Sequence, residues 1–112
     1  IIKKIDGTDL IGLQYEPLFN NFPNKNAFII VADEYVSKDT GTGIVHLAPA
    51  FGEDDYRVCL ENDVINKMII PPCPFDANGY FTSQVDFLKG KYFKDADKIV
   101  IKELKEKIFN FW

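Results

Sequence analysis

The 112-residue sequence is short of the residue types that build metal clusters, disulfide scaffolds and membrane spans. It holds two cysteines, one histidine and one methionine. Cys59 and Cys73 stand 14 positions apart without a CxxC spacing. That is too little for a zinc site and reads as reduced thiols in a cytosolic protein. No apolar run approaches the roughly 20 residues of a membrane span. The opening Ile1-Ile2-Lys3-Lys4-Ile5-Asp6-Gly7 has neither the apolar core nor the cleavage site of a signal peptide. A basic excess is missing too: 13 Lys and Arg face 17 Asp and Glu, a net charge of −4. Proteins that hold a long duplex by neutralising phosphates carry surplus cations, so this domain alone is expected to hold one poorly, while contact with the end of a nucleic acid held by other domains is still permitted.

What is there is ordinary for a soluble domain: 46% apolar and 27% charged residues, which excludes disorder and collagen. A chain of this size buries roughly two-thirds of its unfolded surface and needs no staple, so residues 1–112 are expected to form one domain or part of one. The start without Met and the apolar stub Phe109-Asn110-Phe111-Trp112 are expected of a piece of something longer.

Strand formers dominate the first two-thirds. Leu10–Glu16, Ala27–Ala32, Ile44–Ala48 and Met68–Ile70 read as short strands closed by prolines and glycines, Ala27–Ala32 as one buried on both faces. The Asn- and Pro-rich stretch Asn20–Asn26 and the Asp76-Ala77-Asn78-Gly79 run read as loop and turn. Glu53–Glu61 reads as a helix with acids crowding its first turn, ended by Asn62-Asp63. A longer C-terminal helix, capped by Asp95, follows the spacing of Ala96, Ile99, Val100, Leu104 and Ile108, with a Glu103–Lys107 surface pair. The fold class is α+β: a mixed sheet or small β-barrel core, a short middle helix and a longer C-terminal one.

Chemistry concentrates in Gly41–Tyr56, GTGIVHLAPAFGEDDY. Gly41 and Gly43 let backbone approach a ligand closely. Strand alternation sets Val45 and Leu47 on one face and Ile44, His46 and Ala48 on the other. The loop Pro49–Gly52 brings the acidic helix start back toward His46. Each feature has a plain rival. A lone strand histidine is more often a core or surface residue, and acids at a helix start are usually caps, a reading that suits Glu53 and Asp54. His46, Asp55 and Cys59 can be drawn as a metal site, but three mixed ligands without a spacing signature do not support one, and none is assigned.

Taken together the stretch is more specific than its parts. Gly41-Thr42-Gly43-Ile44-Val45-His46, Ala48-Pro49-Ala50-Phe51-Gly52 and Asp55-Tyr56 resemble the signature of the editing domain (the CP1 insertion) of isoleucyl-tRNA synthetases, the eukaryotic and archaeal branch in particular through Glu53–Cys59. Tyr15-Glu16-Pro17-Leu18-Phe19, Phe81-Thr82, Phe87-Leu88-Lys89-Gly90 and Lys94–Lys98 resemble flanking segments of the same insertion. Valyl enzymes usually carry Lys and leucyl enzymes Met where His46 stands, which leaves their editing domains as alternatives of lower rank.

The resemblance implies the class Ia editing-domain fold and the hydrolysis of misattached valine from the 3′ end of tRNA(Ile). By motif position it implies Asp55 as the carboxylate that anchors the substrate's α-ammonium. His46 would line the pocket beside the valyl group. Gly41, Thr42, Gly43, Ile44, Val45, Ala48 and Phe51 would flank the substrate. No metal or cofactor is implied for this domain; the parent enzyme's ATP and magnesium chemistry needs the HIGH and KMSKS signatures, which are absent. The partners implied are the tRNA(Ile) 3′ end and the remaining synthetase domains, in the cytoplasm and away from membranes. The family's threonine-rich peptide upstream of GTG is absent, since Thr8 and Thr40 are the only threonines before Gly41. The rival reading is therefore a fragment that binds aminoacyl-adenosine without turnover.

Overall fold

In the computed structural model, which describes residues 1–109, the elements run as a 3₁₀ turn (Gly7–Leu10), helix α1 (Glu53–Glu61), a second 3₁₀ turn (Asp86–Leu88) and helix α2 (Asp97–Phe109). The end of the C-terminal stub, 110–112, lies outside the described residues. Within the span expected as one domain, contacts gather into two compact units: Ile1–Glu16 with Asn24–Pro71, and Pro17–Pro23 with Pro72–Trp112.

In the first unit the two earliest strand candidates do meet. The Gly12 and Tyr15 N–H groups donate to the Ile30 and Phe28 carbonyls at 2.8 Å, and the Ile30 N–H returns to the Leu13 carbonyl at 2.9 Å. The result is a single antiparallel bridge, Gln14 to Ile29. Phe28 explains why it goes no further: its φ of 56° lies in the left-handed region, which breaks the pleat a ladder requires. Its ring instead stands edge-on to Tyr15 at 6.0 Å. Residues 27–31 are half-buried rather than enclosed on both faces. Ile44–Ala48 and Met68–Ile70, expected as strands, make no β-bridge among the described residues. Ile44 and Val45 are 74% and 51% exposed, so no neighbouring strand supplies the pairing their composition suits. Met68 is instead held in a turn by Asn66, whose side-chain oxygen accepts its N–H at 2.9 Å.

Helix α1 has the bounds its sequence suggests, and its ending has a definite cause. The Val64 N–H reaches the Cys59 carbonyl at 2.9 Å and the Asp63 N–H the Leu60 carbonyl at 3.3 Å. This is a Schellman closure, with Asp63 in the left-handed position at φ 57°. The helix turns Val58 and Cys59 inward, and with Ile65 they form the buried core of the unit.

The second unit is organised by aromatic rings. Antiparallel bridges join Phe75 to Phe81 and Tyr80 to Tyr92. The Asp76 carboxylate accepts the N–H groups of Asn78 and Tyr80 to form the expected 76–79 turn. Phe75 stacks on Phe93 at 5.4 Å and meets Phe81 edge-on at 5.8 Å. Beneath them Val85, Leu88 and Ala96 are buried, with Phe22, Phe81, Ile99 and Val100 packed around them. Asn21, whose side-chain amide donates to the Gln84 carbonyl at 3.2 Å, anchors the segment that carries Phe22.

Helix α2 starts one residue later than expected. The Ala96 carbonyl accepts the Val100 N–H at 2.9 Å, so buried Ala96 holds the cap position and Asp95 lies just outside it. Core packing of a small side chain wins over the cap propensity of aspartate. Lys107, expected opposite Glu103, lies over the Phe19 ring at 5.2 Å.

Gly79 sits at φ +84°, and a Cβ there would lie 2.9 Å from the Tyr92 ring and 3.0 Å from Phe93. Gly79→Ala is expected to cost about 1–3 kcal/mol through left-handed strain and ring displacement. Thermal unfolding checks this; an unchanged midpoint would show that the aromatic layer does not need the turn.

Candidate functional site

The segment from Gly41 to Asp55 divides into two locally ordered pieces. The first is the glycine turn. Gly41 and Gly43 both take positive φ, at 72° and 77°, as the GTG reading requires. Between them the Thr42 hydroxyl closes on the backbone of Ile44, donating to its carbonyl and accepting its N–H. Ile44, Val45 and His46 leave this turn exposed, and the His46 imidazole has no hydrogen-bond partner among the described residues.

The second piece is the loop that enters α1. The Phe51 N–H closes a turn on the Ala48 carbonyl at 2.9 Å. Gly52 is the N-cap of α1, so Asp55 occupies the third helical position, from which a carboxylate can fold back over the helix start. It does so: Asp55 Oδ2 accepts the Ala48 N–H at 2.8 Å. A Cβ on Gly52 would meet Asp55 Cγ and Oδ1 at 2.9 Å. Gly52 has extended backbone at φ −138°, so glycine is needed there for room beside the carboxylate and not for a special backbone angle.

The electrostatics of the unit are set by one side chain. All three ion pairs among the described residues converge on Arg57: Asp33 at 2.9 Å, Glu61 at 3.1 Å and Asp54 at 3.6 Å. The Asp33 grip is bidentate, with Nη1 on Oδ2 at 2.9 Å and Nη2 on Oδ1 at 3.0 Å, the fork geometry that suits guanidinium to carboxylate. Asp33 Oδ1 also accepts the Tyr35 N–H at 3.1 Å. The hydrogen bonds from Arg57 and then Tyr35 hold the Asp33 carboxyl below its ordinary value. Asp55 takes no part in these pairs. One of its oxygens is occupied by Ala48, and Oδ1, bordered by a residue without a side chain, accepts no hydrogen bond among the described residues.

Of the residues singled out from sequence, the structure joins Ala48, Phe51 and Asp55 in one hydrogen-bonded loop, while Gly41–Val45 form a separate turn. The Asp55–Cys59 proximity is real, and burial first, then the Asp55 charge, pushes the Cys59 thiol up. Among the described residues no group of three His, Cys, Asp or Glu side chains is placed to hold a metal. Sequence reasoning passed over Asp33 and Tyr35, and named Gly52 and Arg57 only as parts of the motif, without a role. The available signal was that Arg57 is the only arginine in the chain, four residues from both Glu53 and Glu61 in an otherwise acidic helix.

Two measurements test this arrangement. Gly52→Ala should swing the Asp55 side chain off Ala48 rather than break the helix, because a carboxylate moves more cheaply than backbone. Loss of that hydrogen bond, partly offset by reduced chain entropy, leaves a net change within about 1 kcal/mol. The Ala48 amide proton should lose its hydrogen-bonded shift in NMR spectra, and an unmoved resonance would contradict the reading. Asp33 should titrate below the ordinary 3.8. Because its folded value is depressed, its contribution to stability is present above 3.8 and lost as pH falls through the folded midpoint. Arg57→Lys should move the carboxyl midpoint, followed by carbon NMR, back toward the ordinary value.

No family model matches the chain. Curated relatives do. It is 50% identical over 109 residues to the cytoplasmic isoleucine–tRNA ligase of Arabidopsis thaliana, covering 96% of this chain and 9% of that ligase. The cytoplasmic isoleucine–tRNA ligase of Saccharomyces cerevisiae is 50% identical over 107 residues, covering 93% of this chain and 10% of the relative. The isoleucine–tRNA ligase of Chlamydia pneumoniae is 45% identical over 109 residues, 95% of this chain and 10% of the relative. The chain thus spans about a tenth of the length of the relatives it matches, and no helix among the described residues is long and apolar enough to cross a membrane. With about half its residues shared along nearly its whole length, the chain belongs to the isoleucine–tRNA ligase family and corresponds to one segment of those enzymes.

Proposed function

We propose that this segment serves the editing activity of an isoleucine–tRNA ligase, hydrolysing the ester that joins misattached valine to the 3′ end of tRNA(Ile). The need for such a site is energetic. One missing methylene is worth only about 1–3 kcal/mol in an apolar pocket, a general limit of which isoleucyl enzymes are themselves the standard illustration. A second site, too small for isoleucine, removes the product that the first admits.

The observation that carries this reading is the state of Asp55. Its carboxylate is fixed by the Ala48 N–H through Oδ2, is left out of the Arg57 ion pairs, and has no hydrogen bond to Oδ1, which lies against Gly52, among the described residues. A preorganised carboxylate with one oxygen not committed to a hydrogen bond suits an α-ammonium group, the positive charge common to aminoacyl esters. Held there, the ester presents its carbonyl to water. Water oxygen bonds to the carbonyl carbon, the bond to the ribose oxygen breaks, and that oxygen takes up a proton to release valine and tRNA. The chain contributes orientation, and the neighbouring ribose hydroxyl helps to position the water. His46 lines the valyl side of the pocket, and the Gly41–Gly43 turn flanks the terminal adenosine.

The mixed sheet or small barrel of the editing-domain fold belongs to this proposal, formed by the segment together with the rest of the ligase. ATP- and magnesium-dependent activation of isoleucine resides in those other domains, and the enzyme works in the cytoplasm.

Deacylation of Val-tRNA(Ile) by the full ligase tests the reading. Asp55→Asn keeps an oxygen for the Ala48 N–H but removes the charge, and should lower kcat/KM by about tenfold or more. Asp55→Ala, which also frees the loop, should lower it further. Rates equal to wild type in both variants would remove Asp55 from the reaction.

A further inference from the structure

We propose that the second unit carries a tRNA-binding face of its own: Lys98, Lys102 and Lys105 on the outer side of α2 hold phosphates of tRNA(Ile), and the cleft at Tyr80 takes the base of an unpaired nucleotide. The inference rests on membership of the isoleucine–tRNA ligases and not on the editing reading, since it concerns binding alone and uses none of the residues around Asp55.

Charge is the first observation. The net −4 of the chain is unevenly shared: the first unit holds six Lys and Arg against eleven acids, the second seven lysines against six acids. Helix α2 sorts these lysines further. At about 100° per residue, Lys98, Lys102 and Lys105 fall within an arc of about 60°. Val100, which packs on the core, and half-buried Glu103 and Leu104 lie across the helix from them. Glu103, which interrupts the lysines in sequence, is thereby turned away from them in space. All three lysines are exposed, and none makes an ion pair among the described residues. Lys94 and Lys107, by contrast, lie over the Phe93 and Phe19 rings at 5.9 and 5.2 Å. Like charges one turn apart on a helix repel, and a polyanion laid along them relieves that cost.

A cleft in the same unit is the second, independent observation. A hollow of about 420 Å³ is lined by Tyr80, Gly90, Lys91, Tyr92, Asp95 and Ile99, so it borders the start of α2 beside Lys98. Tyr80 is 47% exposed and is held in place before any ligand arrives. Its N–H donates to the Asp76 carboxylate at 3.0 Å, and it bridges to Tyr92, whose ring stands 5.5 Å away. A fixed, exposed ring in a groove with a lysine beside it suits a single-stranded nucleotide, the base stacking and the ammonium meeting its phosphate. Asp95 offers an acceptor to a base N–H group. The lysines alone suit any polyanion; the tyrosine cleft next to them selects RNA over an acidic protein surface.

Binding of uncharged tRNA(Ile) to the full ligase across a salt series tests this, with the unfolding midpoint and ATP–pyrophosphate exchange measured alongside. Lys98→Gln, Lys102→Gln and Lys105→Gln combined should weaken binding about tenfold at low salt and reduce the slope of log K against log salt by about two to three. The corresponding arginine substitutions should keep both, and exchange should be unchanged throughout. Tyr80→Ala should weaken binding about fivefold or more with the slope unaltered, and Tyr80→Phe should match wild type. Wild-type affinity in either the glutamine variant or Tyr80→Ala overturns the proposal, as does weaker binding by the glutamine variant with an unaltered slope. A glutamine variant that binds tRNA normally but unfolds earlier would place the lysines against another ligase domain, which also overturns it. Because the tRNA carries no amino acid, these results are independent of Asp55, and deacylation remains the separate test of editing.

Discussion

A single guanidinium organises the first unit. Arg57 receives every ion pair among the described residues, and its bidentate hold on Asp33 spans 24 positions of sequence. Arginine suits the task because its planar fork meets both carboxylate oxygens at once, so it fixes direction as well as distance. Exposed pairs of this kind are worth little as stability, and Arg57 and Glu61 are both substantially exposed. The grip matters for geometry. It ties the Asp33–Tyr35 loop to α1 and leaves Glu53 and Asp55 of that helix outside the ion pairs among the described residues.

In Asp55 a structural role and the proposed chemical role fall on one side chain. Its bond to the Ala48 N–H is an ordinary loop-to-helix staple, and the plain reading of acids at a helix start is satisfied by it. The same bond immobilises the carboxylate, which is what a binding group needs if it is to avoid the entropy of ordering when substrate arrives. Gly52 completes the arrangement by omission, since any side chain there would occupy the space that Oδ1 borders. Membership of the isoleucine–tRNA ligases gives the proposed use of this partly buried, preorganised anion its setting.

The two units differ in how they are held. The second rests on stacked rings and a small aliphatic core, with Phe22 supplied from a segment some sixty residues upstream of Phe81 and anchored through Asn21. The first has only Val58, Cys59 and Ile65 deeply buried, and relies on turns, caps and the Arg57 pairs. The extended, apolar and exposed Ile44 and Val45 belong to this sparsely buried unit.

Helix α1, the GTG and 76–79 turns and the approximate span of α2 were legible in the sequence because their causes are local. Acidic residues at a helix start, Asn62-Asp63 at its end and glycines at positive φ act within four or five residues. Asp95 misled because the burial of Ala96, a contact made with residues far along the chain, outweighed a local cap preference. The strand readings of 44–48 and 68–70 misled for a related reason: a strand is made by its partner, and composition says nothing about whether one is at hand. The GTG-to-Tyr56 stretch and the family likeness were readable as letters in order. That Asp33 would meet Arg57 and that Gly52 would make room for a carboxylate were decided only when the chain folded. Those contacts join residues whose separation in sequence carries no periodic signal.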